Sequence, residues 1–184
     1  MIPVVKAKLL EGKKGLIVGI ANENSIAWGC AKAFRAFGAV TYLNDKAKKY
    51  WSFIRMAHLA EPLMKKGGTL FTMTFYGSQM VVEHYNIMGV AKAALESAVR
   101  YMAAELGPKG IRVHAISPGP LATRAASGIP EFDELLEKAK TKAPARSLAS
   151  IDDVGVATAF LAHDAAKLMT GDTVYIDGGY HIID

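Results

Sequence analysis

One cysteine, Cys30, stands in a chain of 184 residues. No internal disulfide can form, and no thiolate cluster is available to hold a metal. Cys30 falls inside an expected helix, where it reads as a small apolar packing residue. No apolar run reaches bilayer-spanning length. The opening MIPVVKAKLLEGKKG lacks the regions of a signal peptide, so a cytoplasmic location is expected. Internal repeats and low-complexity tracts are absent. Basic residues do not interleave with aromatics. The 22 Lys and Arg against 17 Asp and Glu are scattered, with short runs at Lys46–Lys49 and Lys138–Lys142. Nucleic acid is therefore not an expected partner. Such runs form solvated faces by default, or else meet an acidic protein or an anionic cofactor.

The chain is rich instead in apolar residues, at 51%. That suffices for one substantial core and is too little for two, so 1–184 reads as a single domain. GLIVGI at 15–20 is a short branched run bounded by glycines, a buried strand. A helix follows, with Ile26, Ala27, Ala31, Phe34 and Phe37 at helical spacing and Gly38 to end it. AVTYL at 39–43 is the next strand. A second helix at 51–68 is expected to bury Met56, Leu59, Ala60, Leu63 and Met64, with a bend at Pro62. TLFTMTF at 69–75 is a strand, 86–106 a long helix, and IRVHAIS at 111–117 a strand. A short charged helix is expected at 131–142. Ser150 and Asp153 fit a capping box for a helix at 151–162. DTVYIDGG at 172–179 closes the series, the fifth convincing strand. The alternation predicts an α/β fold: a Rossmann-like parallel sheet with helices on both faces.

Ligands bind such sheets outside the carboxyl ends of the strands. That rule selects the turn after Val18, the segments Thr74–Gly77 and Ser117–Thr123, and Asp177–Tyr180. In VGIANENSIAWG, 18–29, Gly19 permits a tight turn, Ala21 a close backbone approach, and the helix start at Ser25 and Ile26 offers free N–H groups to a pyrophosphate. GxGxxG is absent, so the turn alone equally reads as a bland strand-to-helix connection with Ser25 as its N-cap.

HYNIMGVAKAALE, 84–96, places Tyr85 and Lys92 seven residues apart, nearly two helical turns. A lysine near a phenol favours negative charge on a reacting oxygen, and the phenol can donate to a substrate carbonyl. Both side chains could equally be amphipathic arms reaching the surface.

The segments Gly19–Gly29, Gly67–Gly77, YNIMGVAKAALE, RYMAAELGPKGIRVHAISPGP, and SIDDVG through YIDGGYH resemble the bacterial-type enoyl-acyl-carrier-protein reductases, divergent members of the short-chain dehydrogenase/reductase superfamily. The superfamily at large places its tyrosine four residues before the lysine, where this chain has Met88; the wider spacing from Tyr85 marks the enoyl reductases. The resemblance implies reduction of the carbon–carbon double bond of a trans-2-enoyl thioester by NADH, less often NADPH, in type II fatty-acid synthesis. It implies a homotetramer and an acidic acyl carrier protein as partner. Tyr85 would hydrogen-bond the thioester carbonyl and Lys92 the nicotinamide ribose. Gly19, Ala21, Ser25, Ile26, Leu121 and Thr123 would contact the cofactor. Phe75, Tyr76, Tyr85, Ala125, Ala126 and Ile129 would line the acyl pocket, with 124–142 as its lid. A carbonyl-reducing relative and a catalytically inactive nucleotide-binding protein are the alternatives.

Three departures stand against the family pattern. Phe75 occupies the place of a second tyrosine, ten residues before Tyr85. Ala122 stands where lysine or arginine is common. Between Tyr50 and Trp51 the family has two further βα units, with the aspartate beside adenine and the strand end under nicotinamide. Either the sequence omits residues that the molecule contains or it carries a true deletion; intact mass against 19.7 kDa separates the two. A sheet lacking those strands is expected to expose apolar edges.

Overall fold

The computed structural model describes residues 8–44, 53–121, 123 and 132–183. In chain order the elements are β1 (Lys14–Val18), α1 (Ile26–Ala36), β2 (Val40–Asn44), α2 (Phe53–Ala60), β3 (Gly68–Met73), α3 (Ile87–Leu106), β4 (Ile111–Pro118), α4 (Phe132–Lys142), α5 (Ile151–Ala162) and β5 (Thr173–Ile176). All described pairings are parallel: Leu16 sits opposite Tyr42, Phe71 opposite His114, and Ile116 opposite Val174.

β4 is the axis of the core, and its period-two alternation serves two buried faces. Ile111, Val113 and Ala115 point to one side, where Val99, Met102 and Leu106 of α3 and Ala57 of α2 pack with Phe53, Met64 and Leu70. Ile116 points to the other, with Phe71, Met73, Val174 and Ile176 against Val154 and Leu161 of α5. Helices thus cover both faces. The helix before β3 is shorter than its apolar pattern suggests. It ends at Ala60, and Glu61–Leu63 is a 3-10 turn with Pro62 near its start. As a result Leu59 and Leu63 are 52% and 84% exposed, and Ala57 with Phe53 makes the buried contact instead.

α5 begins with the expected capping box: Asp153 N donates to Ser150 Oγ at 3.2 Å, and Ser150 N donates to Asp153 Oδ2 at 2.8 Å. At the other end, Arg112 of β4 donates to the carbonyls of Leu161, Ala162, His163 and Ala166, satisfying acceptors that the helix leaves open. α1 and α5 pack backbone to backbone. A Cβ on Gly29 would lie 2.1 Å from the Ile151 carbonyl oxygen, and one on Gly155 would lie 2.3 Å from that of Gly29. Lys32 and Asp152 add an ion pair at 2.5 Å across this seam.

The sheet is not continuous. β1 and β2 form one two-stranded piece, and β3–β4–β5 another. Both rest on the α1–α5 layer: Ala33, Phe37 and Ala39 pack with Ala159, and Phe34 meets Phe71 edge-on at 6.5 Å. Leu16 and its register partner Tyr42 are 68% and 56% exposed, so one face of the small piece is bare.

Candidate active site

Four strand ends carry the side chains singled out by sequence. At the end of β1, Gly19 adopts φ +94°, and a Cβ there would meet nothing within 4 Å, leaving open space above the turn. Ser25 occupies the N-cap position of α1, yet its side chain does not cap the helix. Its hydroxyl donates back to Asn22 O at 2.7 Å, so no N–H of the first turn is taken up by it. Ile26 packs with Leu121, Val154 and Ile151, which joins this turn to the end of β4. An open cleft of about 220 Å³ lies there, lined by Asn24, Leu121, Ala149, Ser150 and Ile151. Ser117 Oγ, buried at the last turn of β4, has no hydrogen-bond partner among the described residues. Thr123 N donates to Leu121 O at 2.7 Å. Ala21 is exposed. Gly29, the last glycine of the expected cofactor turn, serves the helix seam instead.

A dinucleotide fits this end of the molecule in part. An uncapped helix start, a left-handed glycine with empty space over it and an orphaned hydroxyl at the neighbouring strand end suit a pyrophosphate and its sugar. The cleft is smaller than the ~300–1,000 Å³ of ordinary ligand pockets, so most of such a molecule would lie over open surface.

At the end of β3 the chain gathers its aromatic residues. Phe75 meets Tyr85 at 5.1 Å and Tyr76 at 4.7 Å, both edge-on. Tyr76 is buried in a cluster with Tyr180, Ala139 and Ala143, against which Phe75 also packs. Ala139 lies on α4, so the helical half of the expected lid is anchored on that cluster. Ala122, Ala125, Ala126 and Ile129 lie outside the described residues. Gly77 and Gly89 allow the approach of α3: a Cβ on Gly77 would lie 2.8 Å from Tyr85 Cδ1, and one on Gly89 would lie 2.6 Å from Gly77 O.

Tyr85 is held by strained neighbours. His84 and Asn86 have φ +60° and +44°, in the region non-glycine residues avoid. Burial pushes the Tyr85 phenol above its ordinary value, so it stays protonated. Lys92, on the second turn of α3, donates from Nζ to Met73 O at 2.9 Å. Phenol-bearing Tyr85 and Lys92 therefore both abut the end of β3. Burial pulls the Lys92 ammonium below its ordinary value, and the Glu96 carboxylate pulls it back up.

The sequence reading passed over Glu96 and Ser78, and took Thr74 only as the start of a strand-end segment. Glu96 is 4% exposed, and its Oε1 accepts from Thr74 Oγ1 at 2.6 Å and Ser78 Oγ at 2.7 Å. The signal was present: Glu96 falls four residues after Lys92, one turn along the same face.

Comparison with known proteins places the whole chain beside one family. The family described as Enoyl-(Acyl carrier protein) reductase matches residues 47–181. The chain is 33% identical to the NADH-dependent enoyl-acyl-carrier-protein reductase 1 of Rhizobium meliloti, covering 95% of this chain and 92% of that protein. It is 42% identical to the FabI reductase of Bacillus cereus, over 96% and 99% of the two chains. The crystal structure of the Bacillus cereus reductase with NADP+ and indole naphthyridinone superimposes with a TM-score of 0.89 at 28% identity, covering 96% and 99%. That of the Anaplasma phagocytophilum reductase with NAD gives 0.87 at 34%, covering 96% and 97%. The alignment to the Rhizobium meliloti protein runs over 251 positions while this chain has 184 residues, so at least 67 positions of it are gaps.

Proposed function

The chain belongs to the enoyl-acyl-carrier-protein reductase family, and from that premise we propose that it reduces trans-2-enoyl thioesters of acyl carrier protein with NADH. The observation that carries the reading is the meeting of Phe75, Tyr85 and Lys92 at the carboxyl end of β3. A dinucleotide held here would supply the hydride for the β-carbon of the substrate, and the resulting enolate would take a proton from solvent at its α-carbon. Charge then appears on the thioester oxygen, and the Tyr85 hydroxyl, kept protonated by burial, donates to that oxygen. Lys92 would hold the ribose hydroxyls and add a positive field at the same place. Phe75 and Tyr85 present one apolar wall to the acyl chain, and 124–142 excludes water from it. Gly19, Ala21, Ser25, Ile26, Leu121 and Thr123 carry the rest of the cofactor, with NADPH as the less favoured form. The same reading includes a homotetramer and a cytoplasmic location; a single buried thiol fits a reducing compartment. Among the described residues no helix is long and apolar enough to cross a membrane.

The test is NADH oxidation with crotonyl thioester on the full molecule. Turnover is expected, and Tyr85→Phe should lower kcat by about 10²-fold, the usual cost of one lost donor to a developing oxyanion. Lys92→Met should chiefly raise the KM for NADH. Reduction of ketones only, or NADH binding without turnover, would overturn the proposal.

A further inference from the structure

The carboxylate of Glu96 is buried one turn beyond Lys92, in a place where an apolar side chain would pack at lower desolvation cost. Its partners are informative. Thr74 directly precedes Phe75, and Ser78 ends the 3-10 turn Tyr76–Ser78, so the two hydroxyls bound to Glu96 Oε1 bracket the aromatic segment. Lys92 holds the carbonyl of Met73, the residue before Thr74. Two consecutive turns of α3 thus grip one stretch of backbone, Glu96 by its hydroxyls and Lys92 by its carbonyl. Thr74 N is fixed in turn to Ile116 O at 2.8 Å.

We propose that Glu96 is a positioning residue, which holds the Lys92 ammonium and the Phe75–Tyr76 segment in a fixed relation through one buried carboxylate. Its effect on turnover rests on the reductase reading; its link to Lys92 does not. The field of Glu96 opposes the desolvation that lowers the Lys92 pKa. It also reaches Tyr175 of β5, whose phenol is raised by burial first, then by Glu96 and Asp177. Among the described residues Tyr76, Tyr85, Tyr180 and His181 also lie at this end of the sheet, the last stacked on Tyr175 at 3.7 Å and bonded to Asp177.

Trace acetylation of Lys92 across a pH series, read by mass spectrometry on the intact folded chain, tests the link without any assay of activity. In Glu96→Gln the midpoint of Lys92 labelling should fall by about one pH unit, and in Ser78→Ala it should stay. The alkaline limb of kcat/KM should move down with it, a displacement that a packing defect alone would not cause. A folded Glu96→Gln protein with an unchanged midpoint overturns the proposal. Where that variant fails to fold, Glu96→Met removes the charge with an apolar arm of similar length; a downward move of the midpoint supports the proposal and an unchanged midpoint overturns it. A wild type that reduces no enoyl thioester removes the reductase reading and leaves the labelling result to decide on Glu96.

Discussion

Phe75 and His114 show at the scale of single residues how a side chain sets the properties of this site and core. Phe75 meets Tyr85 edge-on at 5.1 Å, so it adds an apolar neighbour to the phenol that is proposed to bind the substrate oxygen. Phe75→Tyr is expected to raise kcat while leaving the Kd for NADH unchanged, because the cofactor turn lies at another strand end; identical kinetics in the two proteins would remove Phe75 from the site. His114 is fully buried, stacked on Phe71 at 5.7 Å, and neither ring nitrogen has a well-formed hydrogen bond among the described residues. Burial, then the Arg112 cation, push its pKa below 6.5, against weaker upward pulls from Asp172 and the Met169 backbone. The unfolded chain therefore takes up the proton first. The stability held by neutral His114 is complete above about pH 6.5 and is lost as pH falls from there toward the folded value. His114→Leu should flatten the fall in denaturation midpoint between about pH 7 and pH 5. An unchanged slope would assign acid lability to other groups.

At the scale of elements, the α1–α5 seam governs stability. Because a Cβ on Gly155 would stand 2.3 Å from the Gly29 carbonyl oxygen, Gly155→Ala must force two helix backbones apart. A loss of about 1–3 kcal/mol in denaturant unfolding is expected, as for other overpacked interiors. A loss under about 0.5 kcal/mol, the size of an ordinary surface change, would show that the seam yields freely. This seam also marks the limit of what the sequence could convey. The capping box of α5 is local, a Ser and an Asp three residues apart, and it was readable with its helix to the residue. The strands and α3 were readable because their apolar periods persist over whole elements. Gly29 was not, since its reason lies 122 positions away at Ile151. Leu59 and Leu63 misled for a related cause: their helical spacing is real, but the helix ends at Ala60 and the apolar face that would receive them is not among the described contacts. In the site, Tyr85 and Lys92 were legible from spacing. The clasp of Glu96 on Thr74 and Ser78 needed the fold, which brings residues 18 and 22 positions apart into hydrogen-bond range.

At the scale of the whole molecule, the feature that matters is the break between β1–β2 and β3–β4–β5. The pieces share parallel direction and a common helical layer. Among the described residues no ladder hydrogen bond joins the two pieces. Cohesion between them passes through α1 and α5, the Phe34–Phe71 contact and the Lys13–Asp164 pair at 2.6 Å. Such a joint transmits cooperativity through side chains and two glycines rather than through a backbone ladder. A scanning calorimeter should therefore record one endotherm for the wild type and a split or broadened one for Gly155→Ala, with the half that bears β1 and β2 melting ahead of the half that bears Tyr85 and Lys92.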